Sequence, residues 1–158
     1  MKRISKDAYY LEIAQAVSQR STCLKRRYGA VIVKNDEIIA TGYNGSVRGE
    51  PNCCDIGLCK RLDKPSNSGD YSDCHSVHAE QNAIISASRS EMLGATMYLY
   101  GEQLEYFPYC PPGTKLETAV HPVWTQLTAP EPCPICRRMI ANAGIIRVVT
   151  PDKCSDDE

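Results

Sequence analysis

His78-Ala79-Glu80 and Pro132-Cys133-Pro134-Ile135-Cys136 stand about fifty residues apart. A chain that uses both must fold so that they meet. One imidazole and two thiolates are donors that zinc accepts, and a catalytic zinc keeps three protein ligands and leaves a fourth position for water. His78, Cys133 and Cys136 are the candidate metal ligands, and Glu80 is left over as a carboxylate able to move protons. Two residues between the cysteines let both sulfurs face one ion. Pro132 and Pro134 suit the first turn of a helix, where a missing N–H costs little. The thiols then sit at the positive end of a helix dipole, which favours thiolate. His78 opens a second helix, and Glu80 in its first turn can point into the same cavity without being a ligand. The competing reading is a closed four-ligand structural zinc, with Glu80 only capping its helix.

With 158 residues the chain fits one domain, 1–158, with a real core. Eighteen basic residues against nineteen acidic ones leave a net charge of -1. That gives no basic excess to hold a long polyanion, so no nucleic-acid partner is expected. A small anion needs only one local cluster of cations. No apolar run resembles a signal peptide or membrane span, so a soluble, cytoplasmic protein is expected. Nine cysteines, an odd number, read in a reducing compartment as metal ligands or buried thiols rather than disulfides.

Residues 5–20 carry Tyr10, Ile13, Ala14 and Val17 at helical spacing, with Ser5 able to cap the start. Residues 28–43 predict a hairpin turning at Asn35-Asp36. Residues 44–77 have no apolar period but hold four cysteines and a histidine. They predict a long ordered loop, and a metal clip is one physical way to order it. A helix is expected over 78–90, a buried strand over 95–100 and an insertion over about 101–132. A helix over 133–143 should stop at Gly144, followed by a buried strand over 145–149 and a frayed acidic tail. Strands separated by helices suggest parallel neighbours joined by right-handed crossovers. The class is α/β, with helices packed on a mixed sheet.

Gly29-Ala30-Val31-Ile32, Thr41-Gly42-Tyr43-Asn44-Gly45, Asn52-Cys53-Cys54-Asp55 and His78-Ala79-Glu80-Gln81-Asn82-Ala83-Ile84 accompany the His-x-Glu … Pro-Cys-x-x-Cys pattern of zinc nucleobase deaminases. Together they resemble the cytidine and deoxycytidylate deaminase superfamily, most closely its deoxycytidylate (dCMP) branch and the phage members of that branch. The likeness covers most of 8–100 and 131–149 and leaves the insertion outside. It implies a three-layer cytidine-deaminase-like fold, with a mixed central sheet and helices on both faces. It also implies hydrolysis of dCMP to dUMP and ammonia, supplying dTMP synthesis. Zinc-activated water would attack C4 of cytosine, and Glu80 would take the water proton, deliver it to ring N3, and later protonate the leaving amine with the water's second proton. By the same likeness Asn44 contacts the sugar and the backbone of Ala79 contacts the base. A plain turn role for Asn44 is the alternative. Lys25, Arg26 and Arg27 are the candidates to hold the substrate phosphate, against the alternative of a solvated basic run.

Some phage relatives carry a second, structural zinc, and Cys23 and Cys53 match its two cysteines. Cys74 and His75 are the nearby candidates to complete it, with Cys54 and Cys59 behind them. Buried thiols beside a surface histidine would be the alternative. Relatives are typically hexamers, activated by dCTP and inhibited by dTTP. This predicts a homo-oligomer, an effector region at Gly42, Tyr43 and Gly45, and Mg2+ accompanying triphosphate effectors. Tyr106, Phe107, Tyr109, Cys110, His121 and Trp124 of the insertion are expected to form a lid or an altered pocket, which makes dCTP a further candidate substrate. An outer flap or an oligomer contact is the other reading of that segment. Longer relatives continue past the strand at 145–149, so the sheet edge left there is expected to meet another subunit. Two other classes compete: a deaminase of tRNA or single-stranded DNA, and a non-catalytic zinc scaffold. The near-zero net charge disfavours the first, and Glu80 disfavours the second.

Overall fold

A computed structural model describes residues 3–62, 64–65, 71–106 and 123–155. Helix α1 (Lys6–Ser18) begins where Ser5 caps it, the Ser5 hydroxyl accepting from the Ala8 N–H at 3.1 Å. Strands β1 (Arg26–Lys34) and β2 (Glu37–Tyr43) form the expected hairpin. Asn35 and Asp36 turn it with φ of 51° and 66°, the left-handed pair that matches strand twist.

The segment 44–77 holds more than loop. β3 (Gly45–Ser46) pairs with β4 (Ser76–Val77), and α2 (Cys53–Ile56) forms one turn between them. The Val47 N–H donates to the His75 carbonyl at 3.2 Å. The clasp pairs main-chain groups that a bare loop would leave open.

The helix expected over 78–90 is two helices, α3 (Ala79–Ile85) and α4 (Arg89–Met92). Ser88 starts the second through a capping box with Glu91, which a periodicity argument passes over.

The strand expected over 95–100 continues as β5 (Thr96–Tyr106) and is joined by β6 (Val123–Gln126). The segment expected to be an insertion therefore enters the central sheet at both ends. β1 begins at Arg26 and offers ladder partners to Gly101, Glu102 and Gln103. On the other side of β5, Glu102, Gln103 and Leu104 meet Gln126, Thr125 and Trp124. Phe107, Tyr109, Cys110 and His121 lie outside the described residues. α5 (Pro134–Ala143) ends at Gly144, whose φ is 86°, and leads to β7 (Arg147–Val149).

The main sheet runs β2-β1-β5, with β6 antiparallel and β7 parallel on the far side of β5. Parallel neighbours joined through a helix occur at β5–α5–β7. β2 and β5 also run parallel across α3, but β1 lies between them, antiparallel to both. The hairpin mate keeps the central place, so that pair is parallel without being adjacent.

β1 is buried on both faces and reads as a continuous apolar run. Its residues alternate between two cores. Val31 and Val33 pack with Tyr98, Tyr100 and Val149 under Tyr10, Leu11 and Ala14 of α1. Ala30 and Ile32 pack with Met97 and Leu99 under Ala79 and Ala83 of α3 and Ile140 and Ala143 of α5. This is the three-layer arrangement of helices on both faces.

A Cβ on Gly42 would lie 2.3 Å from the Ala79 carbonyl oxygen and the Ala83 nitrogen, so β2 lets α3 lie directly on it. The last strand is less buried than expected: Val149 is interior, whereas Ile146 before it is 78% exposed, because β7 is a short edge strand. The tail is not frayed through residue 155. A 3-10 turn spans Pro151–Lys153, and the Ser155 hydroxyl donates to Asp7 at 3.0 Å. No helix among the described residues is long and apolar enough to cross a membrane.

Candidate metal centre

α3 and α5 pack side by side on one face of the sheet, with their starts together. The imidazole of His78 and the sulfurs of Cys133 and Cys136 all lie within 4.8 Å of one another. His78 is the N-cap of α3, with its N–H donating to Gln81 Oε1 at 3.0 Å. Cys133 is the N-cap of α5, and its sulfur accepts from the Cys136 N–H at 3.4 Å while Pro134 fills the first turn. Cys136 Sγ stands 3.5 Å from His78 Nδ1, so this ring nitrogen faces the sulfur.

Burial, and then the positive charge of Arg61, hold the His78 pKa below its ordinary value, so the neutral metal-binding form is favoured. Burial foremost pushes the Cys136 thiol up, an effect a bound cation reverses. Glu80, in the first turn of α3, is 5% exposed, and burial raises its pKa although the Cys136 thiol donates to it. Among the described residues no fourth His, Cys, Asp or Glu joins the three-atom group. One nitrogen and two sulfurs with an open fourth position fit a catalytic zinc rather than a closed structural one.

The site floors a cleft whose wall carries both charged and apolar side chains. Ala79, fully buried, lies on its floor beside Glu80. Asn44 lines the wall with its amide engaged: Oδ1 accepts from the Tyr28 N–H at 2.8 Å and the Ser21 hydroxyl at 2.7 Å, and Nδ2 donates to the Arg26 carbonyl at 2.9 Å. Lys25 and Arg26 also line the cleft. Arg27 does not join them. Its guanidinium stacks 3.8 Å from the Trp124 ring and donates to Gln19. Arg61, which no sequence signal singled out, does line the cleft, is 6% exposed, and stacks on Tyr71 at 4.6 Å. Tyr71 in turn meets the His78 ring edge-on at 5.3 Å. Arg61 lies in a stretch without periodicity, so only the folded loop reveals it.

The residues expected at a second metal are only partly gathered. The Cys23 thiol neighbours those of Cys59 and Cys53, Cys59 also neighbours Cys74, and burial foremost pushes both Cys23 and Cys59 up. No three of these sulfurs fall within 4.8 Å of one another. His75 is exposed and faces Glu50 at 4.0 Å, and Cys54 is exposed beside Asp55. In the expected effector region, Gly42 seats α3 and the exposed Tyr43 accepts from Asn82 through its carbonyl at 2.8 Å. Gly45 opens the β3–β4 clasp.

Residues 4–151 match the family described as the cytidine and deoxycytidylate deaminase zinc-binding region. The deoxycytidylate deaminase of Mycobacterium phage D29 is 34% identical over 157 residues, covering 96% of this chain and 98% of that protein. This likeness spans the segment 101–132 that was expected to fall outside it. The deoxycytidylate deaminase of Schizosaccharomyces pombe is 44% identical over 99 residues, or 62% of this chain. The chain spans only 30% of that relative's length. Among solved structures, the dCMP deaminase of cyanophage S-TIM5 in apo form superposes with a TM-score of 0.56 at 26% identity, covering 91% of this chain and 80% of the other.

Proposed function

The chain belongs to the cytidine and deoxycytidylate deaminase family, and on that premise we propose that it hydrolyses dCMP to dUMP and ammonia. The observation that carries the reading is a buried carboxylate, Glu80, set against a three-ligand cluster whose fourth position is open. The near full-length likeness to the phage D29 enzyme supports dCMP as substrate. His78, Cys133 and Cys136 hold the zinc, which when bound supplies a water acidic enough to act near neutral pH. Glu80 accepts one proton of the water and delivers it to ring N3, then takes the remaining proton from the hydroxyl added at C4 and passes it to the departing amine, which leaves as ammonia with C4 as a carbonyl. The backbone at Ala79 meets the base and Asn44 the sugar. Of the predicted phosphate ligands, Lys25 and Arg26 have places on the cleft wall that support the role, and Arg27 lacks one.

The same reading includes dUMP supply for dTMP synthesis in the cytoplasm, activation by dCTP and inhibition by dTTP with Mg2+ on the triphosphates, and dCTP as a second substrate. Gly42, Tyr43 and Gly45 adjoin α3 and the clasp, which supports an effector region acting on the site. The exposed edge at Ile146 supports a homo-oligomer, and the family likeness favours a hexamer. A second, structural zinc has its support in Cys23, from the segment before β1, beside Cys53 and Cys59, with Cys74 beside Cys59, whereas His75 is exposed toward Glu50.

The experiment is ammonia release from dCMP, dCTP, CMP and deoxycytidine by zinc-loaded protein, each with and without dCTP or dTTP, alongside metal content per chain. Turnover of dCMP that rises with dCTP and falls with dTTP is expected. Zinc-loaded protein that releases no ammonia from any of them would refute the function, and one zinc per chain would remove the second metal.

A further inference from the structure

Three cations share one wall of the cleft: Lys25, Arg26 and Arg61. Arg26 is committed through Nε and Nη2 to Gln103 and through Nη1 to the Tyr28 hydroxyl. The Lys25 ammonium donates to the main-chain carbonyls of Arg61, at 2.8 Å, and Lys64. These are neutral acceptors on the loop that carries Arg61, so they shape the loop and leave the charge of Lys25 in place. The loop turns there, with the Leu62 N–H on the Cys59 carbonyl and the Lys64 N–H on the Arg61 carbonyl, both at 3.2 Å. The Arg61 guanidinium is buried, donates to the Pro65 carbonyl at 3.3 Å, and lies over Tyr71, one aromatic ring away from His78. A ligand with its base on the Ala79–Glu80 floor would bring its sugar-borne group toward this wall. A planar guanidinium offers a phosphate two parallel N–H bonds, which an ammonium cannot match.

We propose that Arg61 reads the 5′-phosphate of the nucleotide, and that Lys25 is a positioning residue that holds the Arg61 loop against the cleft. This rests on the deaminase reading and reassigns its phosphate contact. The test is calorimetric binding of dUMP and deoxyuridine, a pair that differs only in the phosphate, to zinc-loaded protein. Wild type is compared with Arg61→Gln, Arg61→Lys, Lys25→Met and the double variant Lys25→Met/Arg61→Gln. Wild type should bind dUMP at least tenfold more tightly than deoxyuridine. Arg61→Gln should lose roughly ten- to hundred-fold in dUMP affinity while leaving deoxyuridine unchanged. Arg61→Lys, which keeps charge and bulk, should recover only part of the loss. Lys25→Met should weaken dUMP binding on its own but add little to Arg61→Gln, since it acts through that residue. Equal losses for both ligands, no loss for dUMP, additive losses in the double variant, or a wild type indifferent to the phosphate would overturn the assignment. Ammonia release judges the deaminase reading separately, because the binding comparison needs no turnover.

Discussion

Asn44 is the residue at which the two sequence readings, sugar contact and turn former, meet one geometry. Its amide holds the Tyr28 N–H, the Arg26 carbonyl and the Ser21 hydroxyl, so it ties the end of β2 to the start of β1 while facing the cleft. Replacing it by alanine removes its bonds to the part-buried Tyr28 N–H and Arg26 carbonyl, which costs on the order of 1–2 kcal/mol. Urea unfolding of Asn44→Ala should show that loss. Unchanged stability with a raised KM would make Asn44 a ligand contact only. Glu80 is the opposite case, a buried carboxylate whose described contact is the Cys136 thiol at the centre itself. Glu80→Gln should retain zinc and lose roughly 10²–10⁴-fold in kcat, as removal of a general acid–base does. A variant that keeps both zinc and turnover would take Glu80 out of the reaction. Glu80 was legible in the sequence because its distance from His78 is local. The bonds of Asn44 were not, because Ser21 and Arg26 are brought to it only by the hairpin.

At the scale of elements, the centre depends on how closely α3 lies on the sheet. Gly42 permits that contact, and a methyl group there would meet main-chain atoms at 2.3 Å that cannot swing aside. Gly42→Ala should therefore shift α3, cost about 1–3 kcal/mol in overpacking, and move His78 relative to Cys133 and Cys136. Zinc affinity measured by competition with a chromophoric chelator should fall along with thermal stability. Loss of stability with zinc affinity intact would mean that α3 moves as a body with α5. The helix starts at His78 and Cys133 were readable because capping is written within a few residues. The break between α3 and α4 is equally local, yet apolar spacing alone conceals it, and the Ser88–Glu91 box is the signal that would have found it.

Over the whole molecule, Asp7 links parts that are far apart in the chain. It accepts from Tyr98 of β5 at 3.0 Å, from Arg147 of β7 at 3.0 and 2.5 Å, and from Ser155 of the tail. Burial alone would raise its pKa, but bonds from Arg147, Ser155 and Tyr98 together hold it below the ordinary 3.8. A carboxylate depressed in the folded state contributes stability that is fully present above its unfolded pKa and is lost as pH falls through the folded one. Asp7→Asn should lower Tm at pH 7, by about 1–3 kcal/mol of stability given that Arg147 is half exposed, and its deficit against wild type should shrink below about pH 4. Parallel melting curves from pH 7 to pH 3 check this, and a deficit that stays constant with pH would remove charge from the explanation.

The sequence by itself determined what is written locally: the three ligands and the carboxylate, the helix starts that present them, the Asn35-Asp36 turn, and the alternating strands of an α/β chain. Tertiary structure alone decided that β1 lies between β2 and β5, and that the segment after Tyr100 extends the sheet. It also separated Arg27 from Lys25 and brought Arg61 to the cleft. The physical reason is the range of the forces involved. Capping, turn chemistry and metal-ligand spacing act over a few residues and leave a pattern in the chain. Strand pairing and the placement of buried charge are settled between residues tens of positions apart, where spacing carries no signal.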